Sequence, residues 1–262
     1  EVTASARALG YASISHDLVF GLPLQTWQSM KNTIEKTISL KPDRIAFYSY
    51  AHVPWVKGVG QRGFDENDLP DAETKRALYE NGKQLLLDLG YVEVGMDHFS
   101  LPTDGLYQSV LNKTIHRNFM GYSSSSTQMM IGLGMSAISD SWYAFAQNDK
   151  SVEEYTKRVN KGVLPVFRGH ILNEEDLVVR KHILNLMCNL ETSWQEESMQ
   201  LSEIPDILER LQEMKQDGLI EIDENHLLVT EKGRTFARNI AMAFDLRLIR
   251  RQPQTRIFSM TV

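Results

Sequence analysis

Strand-like and helix-like segments alternate over the first third of the chain, and this order constrains the fold more than any other feature of the sequence. Strand patterns cover residues 13–20, 44–52 and 91–96, and helical spacing of apolar residues covers 26–40 and 72–89. Helices of this length between strands are typical of units in which neighbouring strands run parallel. The sequence therefore predicts an α/β fold built on a parallel sheet or barrel.

The carboxyl ends of these strands are the expected place for chemistry, because the loops that follow parallel strands meet at one edge. Asp17, placed near the end of the first strand, could accept hydrogen bonds from a ligand's hydroxyl or ammonium groups, or cap the following turn. Ala51 and His52 end the second strand, and residues 97–99 end the third. Ala51 could expose its backbone to a flat ligand or simply fill space, and His52 could be a packed residue rather than a catalyst.

The rest of the chain has a different character. Residues 97–148 are rich in polar and aromatic residues, and they include a glycine-punctuated apolar stretch that reaches Ile138. Beyond about residue 150 helical patterns predominate, and residues 204–244 follow a helix–strand–strand–helix order that resembles a winged-helix unit. We therefore expect two domains, residues 1–148 and residues 149–262, the second of them mostly helical.

Charge and composition exclude several classes of function. A net charge of −6 argues against general attraction to nucleic acid or to an anionic membrane. Acidic residues also outnumber basic ones in the winged-helix-like segment, whose phosphate-binding face should be basic. No apolar run reaches the length that spans a bilayer, so we expect no membrane partner.

The single cysteine, Cys188, limits both redox chemistry and metal binding. No internal disulfide can form, which suits a reducing compartment, and we expect a cytoplasmic location. One cysteine also excludes an iron–sulfur cluster or zinc site built from several cysteines of this chain. No second histidine stands at the spacing of a zinc site, so we expect no metal ligands among these residues.

Two groups of basic residues are candidates for contact with an acidic substrate. His116 and Arg117 could bind an anion or a carboxylate, and a surface salt bridge explains them equally well. The other group lies near the end of the chain and could contact a polyanionic substrate or form a solvated tail. It comprises Arg247, Arg250, Arg251 and Arg256.

Six motifs occur in an order that resembles a known family. They are D-L-V-F-G-L-P (17–23), F-Y-S-Y-A-H-V-P (47–54), G-M-D-H-F (95–99), H-R-N-F-M-G-Y (116–122), G-L-G-M-S-A-I-S (132–139) and V-T-E-K-G-R (229–234). Together they resemble the C-terminal part of the oxygen-independent coproporphyrinogen III oxidases, which are radical S-adenosylmethionine (radical SAM) enzymes of heme biosynthesis. The resemblance covers nearly the whole chain.

The resemblance implies a fold and a reaction. The fold would be the last part of an incomplete radical-SAM α/β barrel, followed by a mostly helical, winged-helix-like C-terminal domain. The reaction would be the oxidative decarboxylation of two propionates of coproporphyrinogen III to vinyl groups, which gives protoporphyrinogen IX. In the intact enzyme a [4Fe–4S] cluster would split S-adenosylmethionine to give the 5′-deoxyadenosyl radical that starts this reaction.

The resemblance also implies contacts at particular residues. By position, Asp17, Ala51 and Ile138 match family residues that line S-adenosylmethionine. Phe119 and Met120 fall where some members contact a second S-adenosylmethionine. The usual residue at the second of these positions is Gln, and the thioether of Met120 has neither the donor nor the acceptor of an amide.

The family holds its cluster with a C-x-x-x-C-x-x-C motif that this sequence does not contain. The first residues read as the body of a helix that ends at Gly10, so we expect a piece of a longer protein that is inactive by itself. The implied partners are coproporphyrinogen III and an electron donor, and we expect a monomer.

Two other functions remain as alternatives. A non-catalytic heme or tetrapyrrole carrier of the same superfamily is the nearer one. That branch has H-N-x-x-Y-W where this chain has H-R-N-F-M-G-Y, a difference that favours the oxidase. A winged-helix regulator is the other, and its expected basic surface conflicts with the acidic stretch 203–231.

Overall fold

A computed structural model describes residues 1–53 and 63–251. These residues form two compact units, 1–111 and 112–251, each with its own packing. The motif at 47–54 ends just outside the described residues, and Arg256 also lies outside them. The predicted domains, 1–148 and 149–262, stay a prediction.

The first unit alternates helices and strands much as the sequence predicts. In chain order its elements are α1 (Val2–Ala8), β1 (Ser15–Phe20), α2 (Trp27–Ser39), β2 (Arg44–Ser49), α3 (Ala72–Asp88), β3 (Val92–Gly95), β4 (His98–Ser100) and α4 (Gly105–Leu111). A short 3₁₀ turn at Glu66–Asp68 precedes α3.

The four strands described in this unit form one sheet in the order β1-β2-β4-β3, and among them only β1 and β2 run parallel. β4 is antiparallel to both of its neighbours. The prediction that residues 97–99 end a parallel strand is therefore wrong. Met96 and Asp97 form a tight turn, with Asp97 in the left-handed region at φ 61°, and the chain reverses there into β4.

Local signals in the sequence explain where α2 and α3 begin. The hydroxyl of Thr26 accepts a hydrogen bond from the Ser29 backbone N–H at 3.2 Å, so Thr26 is the N-cap of α2. Asp71 caps α3 in the same way through the Thr74 N–H at 2.7 Å. Both helices then bury apolar residues against one face of the sheet, around the fully buried Phe47.

Buried Asp104 joins several parts of the first unit. Its carboxylate accepts hydrogen bonds from the Ser13 hydroxyl at 2.7 Å, the Arg44 guanidinium at 2.8 Å and the Leu106 N–H at 2.7 Å. Burial acts to raise the pKa of Asp104, but these three donors outweigh it and hold the pKa below its ordinary value. The charged carboxylate thereby fixes the start of α4 against β2.

The second unit contains more strand than its sequence indicates. Its elements are β5 (His116–Asn118), β6 (Gly121–Ser123), β7 (Met129–Met130), β8 (Ile138–Ser141), β9 (Ala144–Asn148), α5 (Val152–Asn160), β10 (Val166–Ile171), α6 (Glu174–Asn189), β11 (Glu191–Ser193), α7 (Ile204–Arg210), α8 (Gln212–Gln216), β12 (Ile220–Ile222), β13 (His226–Val229), α9 (Ala237–Met242) and α10 (Leu246–Arg251).

The strands of the second unit form three separate antiparallel sheets. β5 and β6 form a hairpin, β10-β9-β8-β7 form a four-stranded sheet, and β11-β13-β12 form a three-stranded sheet. The last of these contains the two strands of the predicted winged-helix-like segment. The four-stranded sheet was not predicted, because its strands are short and carry mixed polar and apolar residues.

Helix α6 is the central helix of the second unit. Asn173 and Asp176 form a reciprocal capping box at its first turn. Further along, the fully buried His182 makes two hydrogen bonds of 2.8 Å, to the Thr192 hydroxyl and to the Met199 carbonyl oxygen. A carbonyl only accepts, so Nε2 carries the proton and Nδ1 accepts from Thr192. Burial lowers the pKa of His182, so the ring stays neutral.

The described helices include none that is both long and apolar enough to cross a lipid bilayer.

The packing of Gly82 in α3 against Phe47 of β2 yields a testable consequence. A methyl group at Gly82 would lie 2.6 Å from the ring of Phe47, which is itself packed against Phe20 and Tyr79. We expect Gly82→Ala to destabilise the protein by about 1–3 kcal/mol, because overpacking outweighs the gain of about 1 kcal/mol in helix propensity. Chemical denaturation measures the difference. Gly105→Ala is the matched control, since nothing lies within 4 Å of its added methyl group; equal stability of the two variants would contradict the packing.

The acid sensitivity of the second unit should depend on Asp176. Arg247 donates two hydrogen bonds to its carboxylate, at 2.5 and 2.8 Å, and His170 donates a third at 3.0 Å. The hydrogen bonds from Arg247, more than any other interaction, hold the pKa of Asp176 well below its ordinary value of 3.8, despite burial. A carboxyl with a depressed pKa stabilises the fold above its unfolded pKa, and this stability is lost as the pH falls below about 4.

We expect Asp176→Asn to lower the free energy of unfolding at pH 7 by about 1–3 kcal/mol. The variant should also show a shallower loss of stability between neutral and acid pH than the unchanged protein. Urea denaturation at a series of pH values measures both effects. Glu174→Gln, at the exposed start of the same helix, serves as the control. A parallel pH dependence in the protein and in Asp176→Asn would refute the role of this carboxylate.

Candidate functional site

Asp17 lies on an exposed face of the first unit, although not at the position predicted. It is the third residue of β1 and is level with Ala46 of β2, so it stands in the middle of the strand rather than at its carboxyl end. Leu18 and Phe20 point into the core, and Asp17 points the opposite way into solvent. No other described residue hydrogen bonds to its carboxylate, which leaves both oxygens available to a ligand.

Two further polar side chains lie on the same face of the sheet. Ala46 is level with His98 of β4, and Tyr48 follows two residues along β2. The Tyr48 hydroxyl lies 3.3 Å from Nε2 of His98, and Nδ1 of that ring lies 2.8 Å from the Met96 carbonyl oxygen. Nδ1 therefore donates to the carbonyl and Nε2 accepts from Tyr48. The result is a row of polar groups across three strands, with Asp17 at its outer edge.

Ala51 and His52 lie just beyond the end of β2. Ala51 is exposed, and the Tyr50 carbonyl oxygen before it accepts a hydrogen bond from Lys75 at 3.2 Å. Burial lowers the pKa of that lysine. Nε2 of His52 lies 3.4 Å from the carboxylate of Glu66, and Nδ1 has no hydrogen-bond partner in the described chain. His52 also packs against Phe64, as the alternative of a packed residue anticipated.

Four candidate residues occur together in the β5–β6 hairpin of the second unit. His116 begins β5, Arg117 follows it, and Phe119 and Met120 form the turn. The guanidinium of Arg117 stacks on the ring of Tyr122 at 4.9 Å, and its buried Nη1 has no hydrogen-bond partner within the described part of the chain. No described carboxylate forms an ion pair with Arg117, so a salt bridge does not account for it.

The other candidate residues of this hairpin are His116 and the two residues of its exposed turn. Burial lowers the pKa of His116, and the nearby positive charge of Arg180 lowers it further, so the ring is neutral at pH 7. Phe119 is 56% exposed and packs edge-on against Phe145 at 5.4 Å. Met120 is 82% exposed, so its thioether is accessible to a ligand or to solvent.

Ile138 is half-buried at the start of β8. Gly132, in the same apolar stretch, lies against the backbone of Ile138. A methyl group at Gly132 would lie 2.7 Å from the Ile138 carbonyl oxygen, so the backbone approaches closely there. The close neighbour is this chain itself rather than a ligand.

The basic residues near the end of the chain differ from expectation. Arg247 pairs with Asp176, and Arg250 pairs with Glu175 and Glu203 at 2.6 and 2.5 Å. Both cations therefore tie α10 to other elements of the second unit, and the hypothesis that they contact a polyanionic substrate is not needed to explain them.

Arg180 organises the surroundings of the hairpin, and sequence reasoning missed it. From α6 it forms an ion pair with Asp140 at 2.8 Å and donates to the carbonyl oxygens of Ser141 and Trp142. Its guanidinium also lies over the rings of Trp142 and Phe145, at 4.7 and 4.9 Å. Nothing in the spacing of α6 marks this residue, because its partners come from a distant hairpin. Tyr48 was missed for the same reason.

The described residues contain no group of three or more His, Cys, Asp or Glu side chains arranged to hold a metal ion. Cys188 is half-buried in α6, and burial raises the pKa of its thiol to about 11. The structure places Asp17 and Ala51 in the first unit, and His116, Arg117, Phe119, Met120 and Ile138 in the second.

No family model matches this chain, but several known proteins are similar to it over almost its whole length. The chain is 37% identical to the oxygen-independent coproporphyrinogen III oxidase of Thermostichus vulcanus, over 98% of this chain and 80% of that protein. It is 34% identical to the enzyme of the same name from Escherichia coli K12, over 98% of this chain and 57% of the relative. The Pseudomonas aeruginosa enzyme is 34% identical over 93% of this chain and 54% of its own length. The chain thus spans little more than half the length of several curated relatives that it matches.

A solved structure agrees with these sequence relatives. The coproporphyrinogen III oxidase of Escherichia coli, described as a radical SAM enzyme, superposes with a TM-score of 0.87 and 34% identity, over 94% of this chain and 58% of that one. The match confirms the predicted α/β fold class and the resemblance that the six motifs carry. A relative at 37% identity, of which this chain covers 80%, is close enough to settle the family. The chain belongs to the family of oxygen-independent coproporphyrinogen III oxidases.

Proposed function

We propose that this chain is part of an enzyme that converts coproporphyrinogen III to protoporphyrinogen IX without oxygen. The observation that carries the proposal is the likeness to the Thermostichus vulcanus enzyme, at 37% identity over 98% of this chain. In each of two rounds, a hydrogen atom leaves the β-carbon of a propionate, and loss of carbon dioxide and one electron then gives a vinyl group. Cytoplasmic location and a monomeric state stay predictions.

S-adenosylmethionine, when bound, supplies the 5′-deoxyadenosyl radical that abstracts the hydrogen atom. Residues of the first unit fit a part of this cofactor. The exposed carboxylate of Asp17 has both oxygens available for hydroxyl or ammonium donors. Ala51 is small and exposed, which suits contact with a flat group such as adenine. The assignment of Ile138 to this cofactor rests on the family resemblance alone and stays a prediction.

The residues of this chain do not fit a [4Fe–4S] cluster. Such a cluster needs several cysteine thiolates, and the sequence has only Cys188. Burial raises the pKa of that thiol to about 11, so it is not a thiolate at neutral pH. The cluster ligands must come from outside residues 1–262, and we expect these residues alone to be inactive. The electron donor of the reaction is not specified by any residue of this chain.

A second S-adenosylmethionine is not supported by the residues at the hairpin turn. Phe119 can offer its exposed ring to an adenine or a methyl group. Met120 replaces the amide that the family usually has there, and a thioether cannot donate or accept in the same way. We therefore propose one S-adenosylmethionine site.

For His116 and Arg117 of the same hairpin, we propose a role in holding substrate carboxylates.

A chimera tests the proposed reaction. In the chimera, residues 1–262 of this chain replace the matching segment of the Escherichia coli relative. The relative supplies the rest of the enzyme. We expect the chimera, with its cluster reconstituted under anaerobic conditions, to convert coproporphyrinogen III to protoporphyrinogen IX, as measured by chromatography of the oxidised porphyrins. The 262-residue chain alone should show no conversion. A folded chimera that binds S-adenosylmethionine but gives no product would count against the oxidase, and stoichiometric heme binding by it would favour the carrier.

The role of Asp17 is tested in the same chimera. We expect Asp17→Asn to weaken S-adenosylmethionine binding by about tenfold or more, because hydrogen bonds to a charged group contribute about 1.5–3 kcal/mol. Equilibrium binding of S-adenosylmethionine and turnover are both measured. Glu35→Gln, which neutralises an exposed carboxylate on α2, is the matched control and should change neither quantity. Unchanged binding in Asp17→Asn would remove Asp17 from the proposed site.

A further inference from the structure

A pocket of about 260 Å³ lies within the second unit, along the C-terminal half of α6. Its polar lining consists of His116, Lys181, Asn185 and Asn189, and the side chains of Trp142 and Leu184 provide apolar walls. A small cavity with mostly apolar walls and a few convergent polar groups is typical of a site for a small organic molecule.

The polar groups of the pocket have no internal partners. No hydrogen bond or ion pair joins the side chains of His116, Lys181, Asn185 or Asn189 to any other described residue. All four side chains are only partly buried, so their polar atoms are accessible to a molecule that enters the pocket. Their combined donors therefore favour a ligand that accepts hydrogen bonds.

The charge around the pocket favours an anion. The lining contains no Asp or Glu, and the thiol of Cys188 in the same wall stays neutral because burial raises its pKa to about 11. Lys181 has no carboxylate partner among the described residues. Arg117 is close enough to Cys188 to act on the pKa of the thiol, and it is likewise unpaired. Lys181 and Arg117 therefore give this region a local positive charge, although the net charge of the chain is −6.

The end of α6 opposes this charge only weakly. A helix C-terminus carries roughly half a negative charge, and its effect falls off within the last turn. Lys181 precedes the last residue of α6, Asn189, by about 12 Å at 1.5 Å per residue. The full charge of the ammonium therefore dominates at the end of the pocket where Lys181 lies.

We propose that this pocket binds a carboxylate carried on a small apolar body. The carboxylate would pair with Lys181 and accept hydrogen bonds from Asn185 and His116, and the apolar body would lie against Trp142 and Leu184. A phosphate is less suitable, because the pocket offers neither an arginine fork nor a cluster of backbone N–H groups. The carboxylate could belong to a free small acid or to a propionate arm of a larger molecule. The pocket carries the inference for a free small acid, whereas a propionate arm as the ligand rests on the proposed function, in which His116 also holds a substrate carboxylate.

The proposal is tested with 3-phenylpropionate as probe and the full 262-residue chain. We expect saturable binding by NMR titration at fixed ionic strength, and at least tenfold weaker binding of the neutral analogue 3-phenylpropanamide. Lys181→Met should weaken probe binding about tenfold or more, whereas Lys181→Arg, which keeps the charge, should lose no more than about threefold. Lys161→Met, which removes a lysine at the C-terminus of α5, should bind the probe as the unchanged protein does.

Three results would overturn the carboxylate site: no saturable binding, equal binding of acid and amide, or equal binding by Lys181→Met. If Lys181→Met proves unfolded by its thermal transition, Asn185→Asp takes its place, because a negative charge in the pocket should repel the probe. Competition by coproporphyrin III would identify a propionate arm as the ligand, and its failure to compete would identify a free small acid. Turnover by the chimera is measured separately, so failure of this site leaves the proposed reaction untouched.

Discussion

The burial of His182 fixes how α6 is rotated within the second unit, and much of that unit depends on it. With both ring nitrogens hydrogen-bonded and the ring stacked on Phe244 at 5.0 Å, the helix cannot turn about its axis without breaking buried polar contacts. This rotation presents Arg180 to the β8–β9 turn and Lys181 to the neighbouring pocket. Met199 accepts the hydrogen bond from His182 through its carbonyl oxygen, and Met199 also lines the pocket. The segment that contains Met199 therefore contacts both the core and the pocket.

The first unit follows a different constraint, which is that α2 and α3 pack against the same face of its sheet. Alternation along β1 and β2 sends Phe20 and Phe47 towards α2 and α3, and leaves Asp17, Tyr48 and His98 on the opposite side. A ligand that approaches this face meets a free carboxylate beside a hydrogen-bonded tyrosine–histidine pair, a surface suited to a polar cofactor.

Local signals in the sequence predicted most of the helices and the first strands. The cap at Thr26 and the apolar spacing of α2 depend on neighbouring residues alone, and the capping box of α6 likewise lies within its own first turn. The β3–β4 hairpin escaped prediction because its turn depends on Asp97 adopting a positive φ, which few sequence patterns reveal. The pocket beside α6 escaped it for a stronger reason: its lining comes from segments far apart in the chain, and only the tertiary fold brings Trp142 to Lys181.

The glycine of one sequence motif lies where the fold leaves no room for a side chain. Gly233, in V-T-E-K-G-R, packs so tightly against the Leu219 carbonyl that any β-carbon would overlap it. The Thr230 hydroxyl and carbonyl both accept from the Gly233 N–H, which holds the backbone in that position. In saturation mutagenesis this codon should tolerate no replacement at all, unlike the open glycine at 105. Selection for any property that needs a folded second unit would therefore purge every variant at this one position.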